Sequence, residues 1–144
     1  MISFKVMGEP VGKGRPKFSR RGNYVHAYTP KATVEYEEKI KFEFLASNCE
    51  SLPVYGKGIP LKLKLLIGMK IPKNFSQKKR ELCYKRLLVP TKKPDVDNVL
   101  KCMDALNGLA FYDDSQITVV HAEKIYVDDP FLQIEIYPRD WQAE

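Results

Sequence analysis

Two runs of alternating residues constrain the fold of this chain more than any other feature. Residues 61–69 (LKLKLLIGM) begin as strict alternation, and residues 131–137 (FLQIEIY) alternate throughout. A two-residue period is that of a strand with one face in a core and the other toward water. Such strands need an apolar layer over the buried face. Segments of helical period can supply it. Thr29 can cap a helix with Pro30 at its first position, running to about Ser47, with Val34, Ile40, Phe44 and Leu45 among its apolar positions. Ser76 can cap a second, strongly basic helix, QKKRELCYKRLL. Val96, Val99, Leu100, Met103 and Leu106 mark a third, ending at Asn107-Gly108. Residues 2–8 read as an opening strand, and residues 116–127, rich in β-branched and aromatic types, as another. Residues 9–29, broken by three Gly and two Pro, read as a loop. Asp128-Asp129-Pro130 reads as a turn joining the last two strands into a hairpin. The expected fold is α+β, one domain over residues 1–144, with helices packed on one face of a mixed sheet of about four strands.

A length of 144 residues fits one domain, and 44% hydrophobic residues can build its core. No apolar run approaches the ~20 residues of a membrane span, and the N-terminus MISFKVMGEP lacks a signal-peptide pattern. The expectation is a soluble, cytoplasmic protein. Cys49, Cys83 and Cys102 are odd in number and far apart, which suits plain thiols rather than a disulfide framework or a zinc site. The charge is unevenly divided. Residues 1–93 carry 21 Lys/Arg and 7 Glu (21 − 7 = +14), and residues 94–144 carry 3 Lys/Arg and 11 Asp/Glu (3 − 11 = −8). A basic surface suits a polyanion, and clustered carboxylates suit a hydrolytic metal ion. One chain with both suggests a nuclease.

The acidic residues concentrate in PDVDNVLKCMD and FYDDSQ. On a continuous helix Asp95 and Asp97 would point about 200° apart. The Pro94-Asp95 start instead places Asp95 at the cap, with non-helical angles that free its carboxylate to turn toward Asp97. Asp97 and Lys101 share a face at i,i+4, and a short return through Gly108 brings Asp113-Asp114 toward the same sheet edge. Grouped carboxylates repel unless a cation neutralises them. Taken singly, each has a plainer reading: Asp95 as a cap contributing ~1 kcal/mol, Asp97–Lys101 as an exposed pair contributing ~0.3–0.5 kcal/mol, Asp113-Asp114 as a turn, and Asp104 as a solvated helix residue. Spacing alone leaves both readings open.

The block PDVDNVLKCMDALNGLAFYDDSQI (residues 94–117) resembles the RusA family of Holliday junction resolvases, often encoded by phages and prophages. The likeness rests on D-x-D-N-x-x-K, D-A-L-N-G, an aromatic loop and D-D-x-Q-[IV]; GKGRPKF (residues 12–18) and YTPKATVEYE (residues 28–37) add to it. The resemblance implies Asp95, Asp97 and Asp114 as catalytic metal ligands, Asp113 as an additional candidate ligand, and Lys101 as the catalytic cation. It further implies Mg²⁺, with Mn²⁺ as a substitute, and a homodimer that resolves four-way junctions by paired nicks in DNA recombination and repair. A two-fold protein suits a two-fold junction.

Charge places candidate DNA contacts at Lys13, Arg15, Lys17, Arg20 and Arg21, interleaved with Phe18 and Tyr24, and at Lys78, Lys79 and Arg80. His26 and His121 lie in no catalytic or metal motif. The rival functions are a non-catalytic basic nucleic-acid-binding protein and an endonuclease acting on other branched DNA.

Overall fold

The protein is described by a computed structural model covering residues 1–48 and 50–140. Its chain order is β1 (Ile2–Met7), β2 (Lys17–Arg21), β3 (Tyr24–Tyr28), α1 (Lys31–Ser47), β4 (Leu61–Lys70), α2 (Gln77–Tyr84), α3 (Val96–Leu100), 3₁₀ turns at Lys101–Leu106 and Asp114–Gln116, β5 (Ile117–Val127) and β6 (Phe131–Pro138). A four-stranded mixed sheet carries the order β1-β6-β4-β5. β6 runs antiparallel to both β1 and β4, whereas β4 and β5 are parallel. Parallel neighbours need a crossover, and the segment from α2 through the second 3₁₀ turn provides it.

The alternation sorts the sheet into two faces. Phe4, Val6, Leu63, Leu65, Ile67, Leu132, Ile134 and Ile136 are buried, while Lys5, Lys64 and Glu135 alternate with them along the same strands. Tyr36, Ile40 and Phe44 of α1 cover the apolar face, with the Phe44 ring edge-on to Phe4 at 5.8 Å. Val99, Cys102, Met103 and Leu106 complete the core. The α+β class and the sheet of four strands are as expected.

Several local expectations are corrected. The helix α1 begins after Pro30 and has no side-chain cap, so Thr29 does not cap it. Val34 and Leu45 are exposed, and the buried positions of α1 are Thr33, Tyr36, Ile40 and Phe44. The second helix closes at Tyr84, four residues short of Leu88, although Ser76 caps it as expected, its Oγ accepting from the Lys79 amide at 3.3 Å. The third helix is two elements. It tightens to 3₁₀ at Lys101, and the three-residue period stacks Cys102 on Ala105 and Met103 on Leu106, all buried. The final strands are not a hairpin pair, because β4 lies between β5 and β6. Residues 17–28 are not loop but the hairpin β2–β3. Cys83 and Cys102 are buried free thiols; Cys49 lies outside the described residues.

Candidate active site

The acidic block is held in place by backbone packing at its start. Asp95 is the N-cap of α3, with φ −72° and ψ 148° and no capping hydrogen bond from its side chain. This is the extended cap geometry that frees its carboxylate from the helix. Asp97, in the first turn of α3, stands 3.9 Å from Lys101 Nζ. The loop of residues 11–14 lies directly on α3: the Lys13 amide donates to Asn98 O at 2.8 Å, and the Gly14 amide to Thr33 Oγ1 at 2.9 Å. A side chain at residue 12 would meet Asn98 Cβ at 3.0 Å and Pro94 Cβ at 3.1 Å. The glycine there is what lets the loop approach the motif.

Asp95, Asp97 and Lys101 therefore line a hollow of about 350 Å³ whose far wall is Lys13, Gly14, Arg15 and Pro16. A second hollow, of about 260 Å³, is lined by Lys101, Asp104 and Asp114 with Leu100, Met103 and Ile117. Lys101 borders both.

Asp114 is delivered by a tightly tied turn. Its amide donates to Asn107 Oδ1 at 2.8 Å. Asp113 caps the Asp114–Gln116 turn, accepting from the Ser115 amide at 3.1 Å, while its own amide donates to Gln116 Oε1 at 2.9 Å. These bonds, chiefly those from Ser115, hold the Asp113 carboxyl below its usual range. Gln116, buried, donates onward to Gly56 O at 2.8 Å and Ile59 O at 3.1 Å. Just before the turn in the chain, the carbonyl of the wholly buried Phe111 accepts from the Gly108 amide at 2.8 Å.

Asp104 does more than the sequence suggests. It is an exposed helical residue as expected, but it is also paired: Lys13 Nζ lies 3.1 Å from it and 3.2 Å from Glu37. Asp104 and Asp114 also hydrogen-bond each other through their side chains. That bond, reinforced by burial, raises the Asp114 carboxyl above its ordinary value. Burial works upward on Asp104 too, but hydrogen bonds from Asp114 and Lys13 outweigh it and leave it lowered. On Lys13, burial pulls the ammonium down, and bonding to Asp104 and Glu37 more than reverses this.

Among the described residues, no three His, Cys, Asp or Glu side chains stand close enough to hold a metal ion. The donors around Lys101 are nevertheless all carboxylates, the hard oxygen ligands that Mg²⁺ takes. Asp104 and Asp114 line one hollow, and carboxylates grouped in this way favour a neutralising cation. The chemistry of the set fits such an ion.

The structure distributes the candidate DNA-binding cations over three places. Lys13 and Arg15 border the first hollow. Lys17, Arg20 and Arg21 ride on the exposed β2–β3 hairpin. Lys78, Lys79 and Arg80 lie on α2, where Phe75 packs edge-on against Tyr126 near the end of β5. At ~3.3 Å per residue, Tyr126 is roughly 30 Å along β5 from Ile117, where the strand leaves the Asp114–Gln116 turn. Lys79 sits over the Phe75 ring, and Arg80 donates to Pro72 O at 3.4 Å. His26 is on β3, and His121 is on β5 beside Lys64.

Sequence reasoning missed Asp104, Glu37, Asn107 and Gln116. For Asn107 and Gln116 the signal was present: polar residues fixed beside the Asp113-Asp114 turn, with side chains suited to bond a turn's amides. Glu37 carries none, being one of several glutamates on α1.

Comparison with known proteins bears on the chemistry. The family described as Endodeoxyribonuclease RusA matches residues 7–137. YqaN of Bacillus subtilis (strain 168) is 36% identical over 138 residues, covering 94% of this chain and 94% of that protein.

Proposed function

The chain belongs to the RusA family of endodeoxyribonucleases, and on that footing we propose that it is a Mg²⁺-dependent enzyme that resolves four-way DNA junctions. It acts as a cytoplasmic homodimer in recombination and repair of phage or prophage DNA, each subunit nicking one of two opposed strands. The observation that carries this reading is the position of Lys101, bordering one hollow with Asp95 and Asp97 and a second with Asp104 and Asp114. Carboxylates from two elements thereby face one cation at the surface of a basic chain.

Asp95, Asp97 and Asp114 are the residues that would hold Mg²⁺, with Asp113 as an additional ligand and Mn²⁺ as a substitute ion. When bound, the metal supplies polarisation of the scissile phosphate and a water acidic enough to attack it. Lys101 is placed to stabilise charge on the phosphoryl oxygens, as a preorganised cation does. Asp97, 3.9 Å from the Lys101 ammonium, orients it on the same helix face. Arg15 on the opposite wall is suited to a phosphate of the same strand. Lys17, Arg20 and Arg21 of the hairpin, and Lys78, Lys79 and Arg80 of α2, are proposed to contact phosphates further out.

The test is cleavage of a synthetic four-way junction beside fork and linear duplex controls, with and without Mg²⁺. Wild type should give paired symmetric nicks only with the metal, and Asp97→Asn should lose them while still binding the junction. Asp97→Asn cutting at the wild-type rate refutes the assigned site. Salt-sensitive binding with no metal-dependent turnover would mark a non-catalytic binding protein. Equal cutting of the fork would move the substrate to branched DNA in general.

A further inference from the structure

The hairpin β2–β3 is the least accounted-for part of the molecule. All of its strand residues are exposed, although Tyr24, Tyr28, Phe18 and Val25 are large and apolar. A two-stranded hairpin cannot bury such side chains on itself, and clustered exposed rings mark an interaction surface.

The register sorts them. Lys17 pairs with Tyr28, Ser19 with His26, and Arg21 with Tyr24. Alternation puts these six on one face, and Ser19, Arg21, Tyr24 and His26 line a common hollow there. The face therefore presents three rings in line on one strand, flanked by two cations on the other. Successive rings stand about 6.8 Å apart, twice the ~3.4 Å step of stacked bases, so one base fits between neighbours. Residues 10–34 contain six Lys/Arg and no Asp or Glu. Among the described residues no ion pair ties Lys17 or Arg21 to a carboxylate. Charge and aromatic spacing together match a polyanion with exposed ring faces.

We infer that this hairpin is an arm that captures unpaired nucleotides: bases stack on Tyr24, His26 and Tyr28 while Lys17 and Arg21 take the adjoining phosphates. The inference rests on the branched-DNA reading, since an open branch point supplies unpaired bases. Its test needs neither metal nor cleavage, so the two can fail separately.

Binding is measured in EDTA by fluorescence anisotropy, using labelled oligo-dT and an abasic deoxyribose-phosphate strand of equal length. Wild type should bind oligo-dT at least about tenfold tighter than the abasic strand, stacking being sequence-tolerant but base-dependent. Tyr24→Ser/Tyr28→Ser should lose that preference while binding the abasic strand within about twofold of wild type. Arg21→Ala should weaken both strands alike and reduce the salt slope. Equal wild-type affinity for the two strands overturns the inference. So does a double variant that keeps the preference, including one whose sedimentation reveals a changed oligomeric state, which would give the face to a second copy of the chain.

Discussion

Lys13 offers the sharpest test of how the site is built. Lys13→Met keeps the aliphatic stem and removes an ammonium standing 3.1 Å from Asp104 and 3.2 Å from Glu37. An exposed ion pair contributes ~0.2–1 kcal/mol, and a fully buried one costs ~3–5 kcal/mol to break. Here the side chains are 28%, 21% and 46% exposed for Lys13, Glu37 and Asp104, so each contact belongs near ~1 kcal/mol and the pair near ~2 kcal/mol. At ~2–4 °C per kcal/mol for a chain of this size, Tm should fall by about 4–8 °C. Thermal unfolding followed by circular dichroism measures this, and most of the difference should persist in 0.5 M salt because partly buried pairs are weakly screened. In a double-mutant cycle, Lys13→Met and Asp104→Asn should couple by ~1 kcal/mol. A Tm within about 1 °C of wild type, or a coupling near zero, refutes the cross-link. If DNA affinity then falls and its salt slope drops by about one unit, Lys13 is instead a phosphate contact.

Two further outcomes follow from the fold. Phe111→Ala should destabilise by ~3–5 kcal/mol, because the ring is wholly buried. Chemical denaturation measures that loss, and Mg²⁺-dependent cleavage should fall more steeply than the folded fraction, since Phe111 anchors the chain two residues before the Asp113-Asp114 turn. Burial pushes the Cys102 thiol from 9.0 up to about 11. The unfolded chain therefore releases this proton first, and stability should decline as pH rises from about 9 to about 11. Denaturant midpoints across that range should flatten in Cys102→Ser; an unchanged slope would show that Cys102 does not cause the decline.

Reading the sequence worked where one interaction dominates. Alternation at residues 61–69 and 131–137 located two central strands because every second side chain enters the core. The cap geometry of Asp95 was legible because a proline before it and an acidic residue after it leave few alternatives. Pairing was not legible. Asp128-Asp129-Pro130 looked like a hairpin turn, yet β4 inserts between the flanking strands, a choice made by long-range packing. The hairpin in residues 17–28 escaped because Gly22 and the basic residues resemble a solvated loop, and no buried face imposes a visible period. In the site, Asp97–Lys101 was readable as a local i,i+4 pair. The Lys13–Asp104 contact joins residues 91 apart, and nothing local announces it.

The placement of β6 governs the order in which this molecule can assemble. It bonds to β1 on one side and β4 on the other, and its pairing Met7↔Phe131 spans 124 positions (131 − 7). Contacts this remote close slowly, because a long loop must be ordered before they form. On a ribosome, β1, α1 and β4 would emerge with an apolar sheet edge open, the kind of surface that aggregates or recruits chaperones. The carboxylates between β4 and β5 would emerge before the scaffold beneath them is complete. The nascent chain should therefore gain its site only once the strand beginning at Phe131 slots between its two partners, making maturation a single late event.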